Sequence, residues 1–136
     1  MTWRMAKSLD TLLAQINALS PNRDKSSDGG IGNAEHAARN SDHNPYIVVK
    51  GQGVVRAFDF THAPETGFDA YAFAEMLLKN KDPRVRYIIS NRKIASGKDG
   101  PSPWKWRPYS GKNPHNHHTH VSVTEDVSEF DNPKSW

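Results

Sequence analysis

The sequence predicts a small α+β domain, an expectation carried by three observations. Two separate stretches place apolar residues at helical spacing. Short runs of β-branched and aromatic residues stand before and after the second of them. A run of alternating polar and apolar residues, His118 to Val123, lies near the C-terminal end. At 136 residues the chain is sized for one domain, spanning 1–136. Its 35% apolar content, with nine Gly and nine Pro, describes a globule rich in loops. No apolar run approaches the ~20 residues of a membrane span, so no membrane insertion is expected. The chain has no Cys, which excludes disulfides and thiolate ligands and leaves histidine and carboxylate for any metal site. The 18 basic and 15 acidic residues are dispersed, without the basic block that marks a nucleic-acid partner.

Taken in order, Leu9, Leu12, Leu13, Ile16 and Leu19 predict an amphipathic helix over 8–19, with Ser8 as its cap and Pro21 ending it. Residues 20–33 are polar and turn-rich and predict a surface loop. Residues 34–44 carry Glu35, His36, Arg39, Ser41, Asp42 and His43 and are too polar for a core segment. Pro45 disfavours helix at Asn44, so His43 is expected on irregular backbone, either as part of a solvated loop or as a presented functional group. Residues 46–50 and 53–61 predict two strands around Gly51-Gln52. In the second, Asp59 sits among Ala57, Thr61, Phe58 and Phe60. A carboxylate there is costly to bury unless it is paired, hydrogen-bonded or bound to metal.

A second helix is predicted over 68–80, opened by a Thr66/Asp69 capping box and buried through Phe68, Ala72, Phe73, Met76 and Leu77. Asp82-Pro83 breaks the chain before strands at 86–90 and 92–96. Residues 97–116 form a long loop whose Trp104 and Trp106 either wall a binding cleft or cover the core. Beyond Val123 comes an acidic tail in which Phe130 and Trp136 are expected to pin the terminus.

The histidine run 113–123 holds four of the seven histidines. As a strand, residues 118–123 put His118, His120 and Ser122 on one face and Thr119, Val121 and Val123 on the other. Such a His-x-His pair is either an ordinary hydrogen-bonded pair or the source of one or two metal ligands. With His43 and Asp59 added, His120 completes two imidazoles and one carboxylate, a sufficient protein set for a catalytic zinc that keeps its fourth position open.

These residues also carry a resemblance. Ser41-Asp42-His43, then Ala57-Phe58-Asp59, then His118-Thr119-His120-Val121-Ser122-Val123 resemble the zinc peptidases of the D-alanyl-D-alanine carboxypeptidase type, the wider group that includes lysostaphin-like enzymes. The opening Ser-Leu-Asp-Thr-Leu, Ser-Asp-Gly-Gly-Ile-Gly, Ser-Asp-His-Asn-Pro and Asn-Pro-His segments resemble small phage and prophage endolysin-like members, so the likeness runs over nearly the whole chain. It implies a small antiparallel sheet flanked by helices and long loops, with one zinc held by His43, Asp59 and His120. The activity it implies is hydrolysis of an amide bond in peptidoglycan stem peptides by a monomer. Arg39 is then the expected oxyanion cation, and Ser41, Trp106 and His115 the expected substrate contacts.

Two departures from the group's pattern stand out. The His43 to Asp59 interval is longer, as if 46–53 were inserted, and His117 occupies the position where many relatives carry an acidic base. His118 or His117 is therefore the expected base, with His115 in reserve. Without an apolar leader at the N-terminus, the expectation is synthesis in the cytosol and action on the wall after the membrane is breached. Two other classes fit parts of the pattern: a non-catalytic zinc-stabilised wall-binding or virion protein, and a histidine-metal nuclease.

Overall fold

The computed structural model describes residues 2–30, 41–111 and 115–136. Leu9, Leu12 and Ile16 form the buried stripe of helix α1 (Lys7–Leu19). Just before it, strand β1 (Trp3–Met5) leads to Ala6, whose N–H donates to Val55 O at 2.9 Å and whose carbonyl accepts the first helical bonds from Leu9 and Asp10. That pairing starts the helix earlier than the sequence suggests. Ala6 is the N-cap, and Ser8 is buried inside the first turn rather than capping it. Leu19, expected on the buried stripe, is 84% exposed where the helix ends.

The strand expected over 53–61 is two strands belonging to two sheets. Strand β3 (Gln52–Val55) lies between β1, to which it is parallel, and β2 (Ile47–Val49), to which it is antiparallel. Strand β4 (Ala57–Thr61) begins a second sheet. The switch happens at Arg56, whose N–H donates to Asp42 O (3.1 Å) and whose carbonyl accepts from Val123 N–H (2.8 Å). Residues 46–53 thus contain β2 and the start of β3, and so build the small sheet on the N-terminal strand.

The second sheet is antiparallel throughout, in the order β4-β8-β5-β6-β7, with β5 Val85–Ser90, β6 Lys93–Ser96, β7 Arg107–Pro108 and β8 His118–Val123. Helix α2 (Ala70–Asn80) covers one face. Its N-cap is Asp69, which accepts from Tyr71 and Ala72 N–H. Thr66 is occupied elsewhere, in a 3₁₀ turn, with its hydroxyl accepting Asp24 N–H at 2.8 Å. The helix buries Ala70, Phe73, Ala74, Leu77 and Leu78, so Ala72 and Met76 face outward, contrary to the expected stripe. Period-2 alternation sends Phe58, Phe60, Val121 and Val123 into this core together with Ile88.

The C-terminal tail closes the core as expected. Phe130, in helix α3 (Val127–Phe130), is fully buried, and Trp136 Nε1 donates to Ser8 O at 2.7 Å beneath the Arg84 guanidinium. Asp131 accepts the Arg4 fork at 2.9 and 2.7 Å and Lys7 N–H at 3.1 Å. Burial works to raise the Asp131 carboxyl, but the Arg4 and Lys7 donors outweigh it and hold it below its ordinary 3.8.

One prediction follows from the sign of that shift. A carboxylate with a depressed folded pKa adds stability that is complete above its unfolded value and is lost as pH falls through the folded one. The urea midpoint is therefore expected to fall as pH drops below 3.8, and Asp131→Asn to flatten that part of the profile. An unchanged acid limb in the variant contradicts this. A second prediction concerns the pair at the sheet switch, where Asp42 Oδ1 accepts from Arg56 Nη2 at 2.8 Å and the two side chains are only 4% and 1% exposed. Asp42→Ala strands that guanidinium and is expected to cost about 3–5 kcal/mol of unfolding free energy, read by urea denaturation.

Candidate metal centre

Register builds the site. Antiparallel pairing sets Asp59 of β4 directly opposite His120 of β8, with Thr61 opposite His118 and Ala57 opposite Ser122. Directly opposed residues share a face, so Asp59, His118, His120 and Ser122 all project to the side away from the core. Asp59 Oδ1 lies 3.1 Å from His120 Nδ1, and Asp59 Oδ2 lies 3.5 Å from His118 Nε2.

His43 arrives from a loop. Ser41 shapes the turn: its Oγ accepts His43 N–H and its carbonyl accepts Asn44 N–H. Asp42 anchors the loop, accepting from Arg56, from Arg86 Nη1 on both carboxylate oxygens (2.6 and 2.8 Å) and from the Tyr46 hydroxyl (2.9 Å). Arg86 reaches it because a bulge between Val85 and Tyr87 puts two residues of β5 against one of β8.

The loop over 20–30 is more than the surface connection the sequence predicts. Arg23 is buried and forks onto Asp28, and Asp28 accepts Thr61 N–H and its hydroxyl. Gly29 then exchanges backbone hydrogen bonds with Asp59 at the free edge of β4. This docking places Gly30 O 2.5 Å from His43 Nδ1.

Three donor atoms now converge. His43 Nε2 is 3.4 Å from Asp59 Oδ1 and 3.2 Å from His120 Nδ1, and the third side of the triangle is the 3.1 Å contact above. Donors on a tetrahedral metal with bonds of ~2.0–2.1 Å stand ~3.3–3.4 Å apart, so these residues fit such an ion. The tautomers agree. A carbonyl only accepts, so His43 carries its proton on Nδ1. His120 Nε2 lies 2.7 Å from Ser122 Oγ, a partner for its own N–H. Both facing nitrogens and Asp59 Oδ1 then aim lone pairs at one point, an arrangement that needs a cation there, either a proton or a metal.

Electrostatics agree with this. Burial works to raise the Asp59 carboxyl, but hydrogen bonds and charge from His120 and His43 override it and keep Asp59 ionised, well below the usual carboxylate range. Burial lowers His43, and its bonds to Asp59 and Gly30 outweigh that and leave it raised. His118 is lowered below 6.5, chiefly by burial, and its Nε2 is buried without a hydrogen bond.

His115 is buried at a positive φ of 54°, with its ring against His118 (4.9 Å) and His120 (5.6 Å). With Asp59 and His118 it forms a second group of donors close enough to hold an ion. Of the other expected site residues, His117 is exposed just before β8 and belongs to neither group. Trp106 is on the helix-covered side, against Tyr71, Glu75, Ser90 and Lys93, and so does not wall the cleft beside the histidines. That cleft is lined by Tyr87, which stacks on His120 at 5.1 Å, and by Tyr109, which meets His115 edge-on at 5.6 Å. Arg39 lies outside the described residues, as do Glu35 and His36.

Sequence reasoning passed over Arg56 and Gly30. An Arg inside an apolar strand carries the same warning as Asp59, and Asp28-Gly29-Gly30 holds the turn chemistry that delivers the carbonyl to His43. No family model, no curated protein and no solved structure matches this chain.

Proposed function

We propose that the protein is a zinc peptidase that hydrolyses an amide bond in the stem peptides of bacterial peptidoglycan, acting on the cell wall as an endolysin or a D,D-carboxypeptidase/endopeptidase. The observation that carries the reading is the triangle of His43 Nε2, His120 Nδ1 and Asp59 Oδ1, with sides of 3.1 to 3.4 Å, its tautomers set by Gly30 and Ser122. Two imidazoles, one carboxylate and no thiolate suit zinc with an open position. The likeness of Ser41-Asp42-His43, Asp59 and His118-Thr119-His120 to peptidoglycan-cleaving zinc peptidases supports the substrate class.

Held by His43, Asp59 and His120, zinc would supply the Lewis acidity for activating water and polarising the scissile carbonyl. The chain's own residues do the rest. Asp59 stays ionised and neutralises part of the ion's charge. His118, beside the triangle and held neutral by burial, accepts the proton that water gives up and can pass it to the leaving amine. The cleft lined by Tyr87 and Tyr109 receives the peptide.

Metal analysis of the purified protein is expected to find one zinc per chain, and His43→Ala, Asp59→Ala or His120→Ala to remove it together with hydrolysis of purified peptidoglycan. Iron in place of zinc, no stoichiometric metal, or metal without hydrolysis each overturns the reading, the last in favour of a wall-binding protein. DNA cleavage measured in parallel tests the nuclease alternative.

His118→Ala is expected to keep zinc and fold while lowering turnover roughly 100-fold or more. Because a base works in its unprotonated form and His118 is lowered, the acid limb of the rate profile is expected below pH 6.5. His117→Ala is expected to retain nearly full activity. Rates at matched zinc occupancy decide between the two histidines.

A further inference from the structure

Beside the histidine cluster lies a cleft of about 670 Å³, floored in part by Ile89 and Ile94 and walled by Tyr87 and Tyr109. Two arginines line it, and they differ in what they already hold. Arg86 is committed: its Nη1 lies 2.6 and 2.8 Å from the two oxygens of buried Asp42, and its Nη2 lies 3.6 Å from Glu125. Arg107 forms no ion pair among the described residues. It stands on the two-residue strand β7, half-buried, with Nη2 donating to Ser96 Oγ at 3.0 Å. Its Nε is buried and makes no hydrogen bond.

We infer that Arg107 is the specificity residue of this cleft, reading a free carboxylate on the bound peptide. The inference rests on the peptidase reading above for the identity of the ligand as a peptide. A guanidinium is always charged, so a ligand that brings an anionic acceptor into the cleft completes the ion pair that Arg107 lacks among the described residues. The planar fork of N–H groups fits the two oxygens of a carboxylate. Ser96, on the neighbouring strand, fixes the plane of that fork through Nη2 and holds the guanidinium at the wall of the cleft.

The rest of the cleft narrows the class of ligand. Asp99 and Glu125 also line it, and both are exposed. Their charge opposes a polyanion such as nucleic acid and favours a group in which an ammonium stands near the carboxylate. The ligand chemistry that fits is a peptide residue with a free carboxylate beside an amine, seated on apolar Ile89 and Ile94 and leading towards the histidines past Tyr87 and Tyr109.

The test is titration calorimetry of the zinc-loaded protein with a stem tripeptide bearing free carboxylates and with the same peptide converted to carboxamides, alongside hydrolysis of peptidoglycan carrying either form. Wild-type protein is expected to bind the carboxylate peptide about tenfold or more tightly than the carboxamide, the scale of a charge-assisted pair. Arg107→Ala is expected to abolish that preference, and Arg107→Lys to restore part of it. If the alanine variant does not fold, Arg107→Gln keeps the stem and reads the same loss. Equal binding of the two peptides by wild type, binding of neither, or a preference that survives in Arg107→Ala or Arg107→Gln overturns the inference. A preference that depends on Arg107 without any hydrolysis supports the subsite and removes the peptidase reading instead.

Discussion

A buried guanidinium organises this fold. Arg56 sits where the chain leaves one sheet and enters the other, 1% exposed, with its backbone groups and both terminal nitrogens hydrogen-bonded. Its backbone joins Asp42 and Val123, its Nη1 donates to Val123 O at 2.8 Å, and its Nη2 meets Asp42 Oδ1 at 2.8 Å and the Tyr46 hydroxyl. Desolvating such a charge is tolerable only when its donors are met, and here they are met by one strand, one loop and one side chain from different parts of the sequence. The pair is therefore less a source of net stability than a constraint. With Arg56 in place, the segment carrying Asp42 has one position, and His43 follows at the next residue.

The same logic runs down to the candidate metal centre. His120 and Asp59 meet because two strands pair in one register, and a one-residue slip of either strand would turn its member of the pair to the core. His43 has no such ladder and is held by its loop, which Asp42 and Ser41 fix, and by the carbonyl of Gly30. That carbonyl is itself positioned by the Arg23–Asp28–Thr61 cluster and the Gly29–Asp59 backbone pair. Groups one step removed from the three donors thus set the direction of each lone pair, and at metal sites such groups commonly matter to affinity by about 10- to 100-fold.

What was legible in the sequence follows from the range of the forces involved. Alternation over His118–Val123 gave the strand and its faces, and the cost of burying Asp59 flagged it without any partner in view. Helical spacing found both long helices, yet it misplaced their details wherever a distant contact decided. Ser8 lost its cap to the β1 pairing, and the stripe of α2 turned because Asp69, not Thr66, starts it. A continuous strand over 53–61 was the best local reading, since nothing in Val55-Arg56-Ala57 announces a change of sheet. That change is made by Asp42 and Val123, 14 and 67 residues away. Trp106 carried a composition suited to a cleft wall, but β7 pairing turns it to the helix side and gives the cleft Arg107 and Tyr109 instead.

The two oxygens of Asp59 explain how neighbouring histidines on one strand face come to differ. His120, opposite Asp59 in the ladder, meets Oδ1 at hydrogen-bonding distance and takes part in the triangle. His118 is opposite Thr61, whose hydroxyl already donates to Asp28, so the residue across the ladder offers it no competing partner. Its Nε2 stops 3.5 Å from Oδ2, too far for a good hydrogen bond. At that separation the carboxylate's pull towards protonation is weaker than the cost of burying an imidazolium, and His118 stays neutral. One step of two residues along β8 thus separates an imidazole that belongs to the triangle from one that stands beside it, close enough to share the carboxylate and far enough not to share its proton.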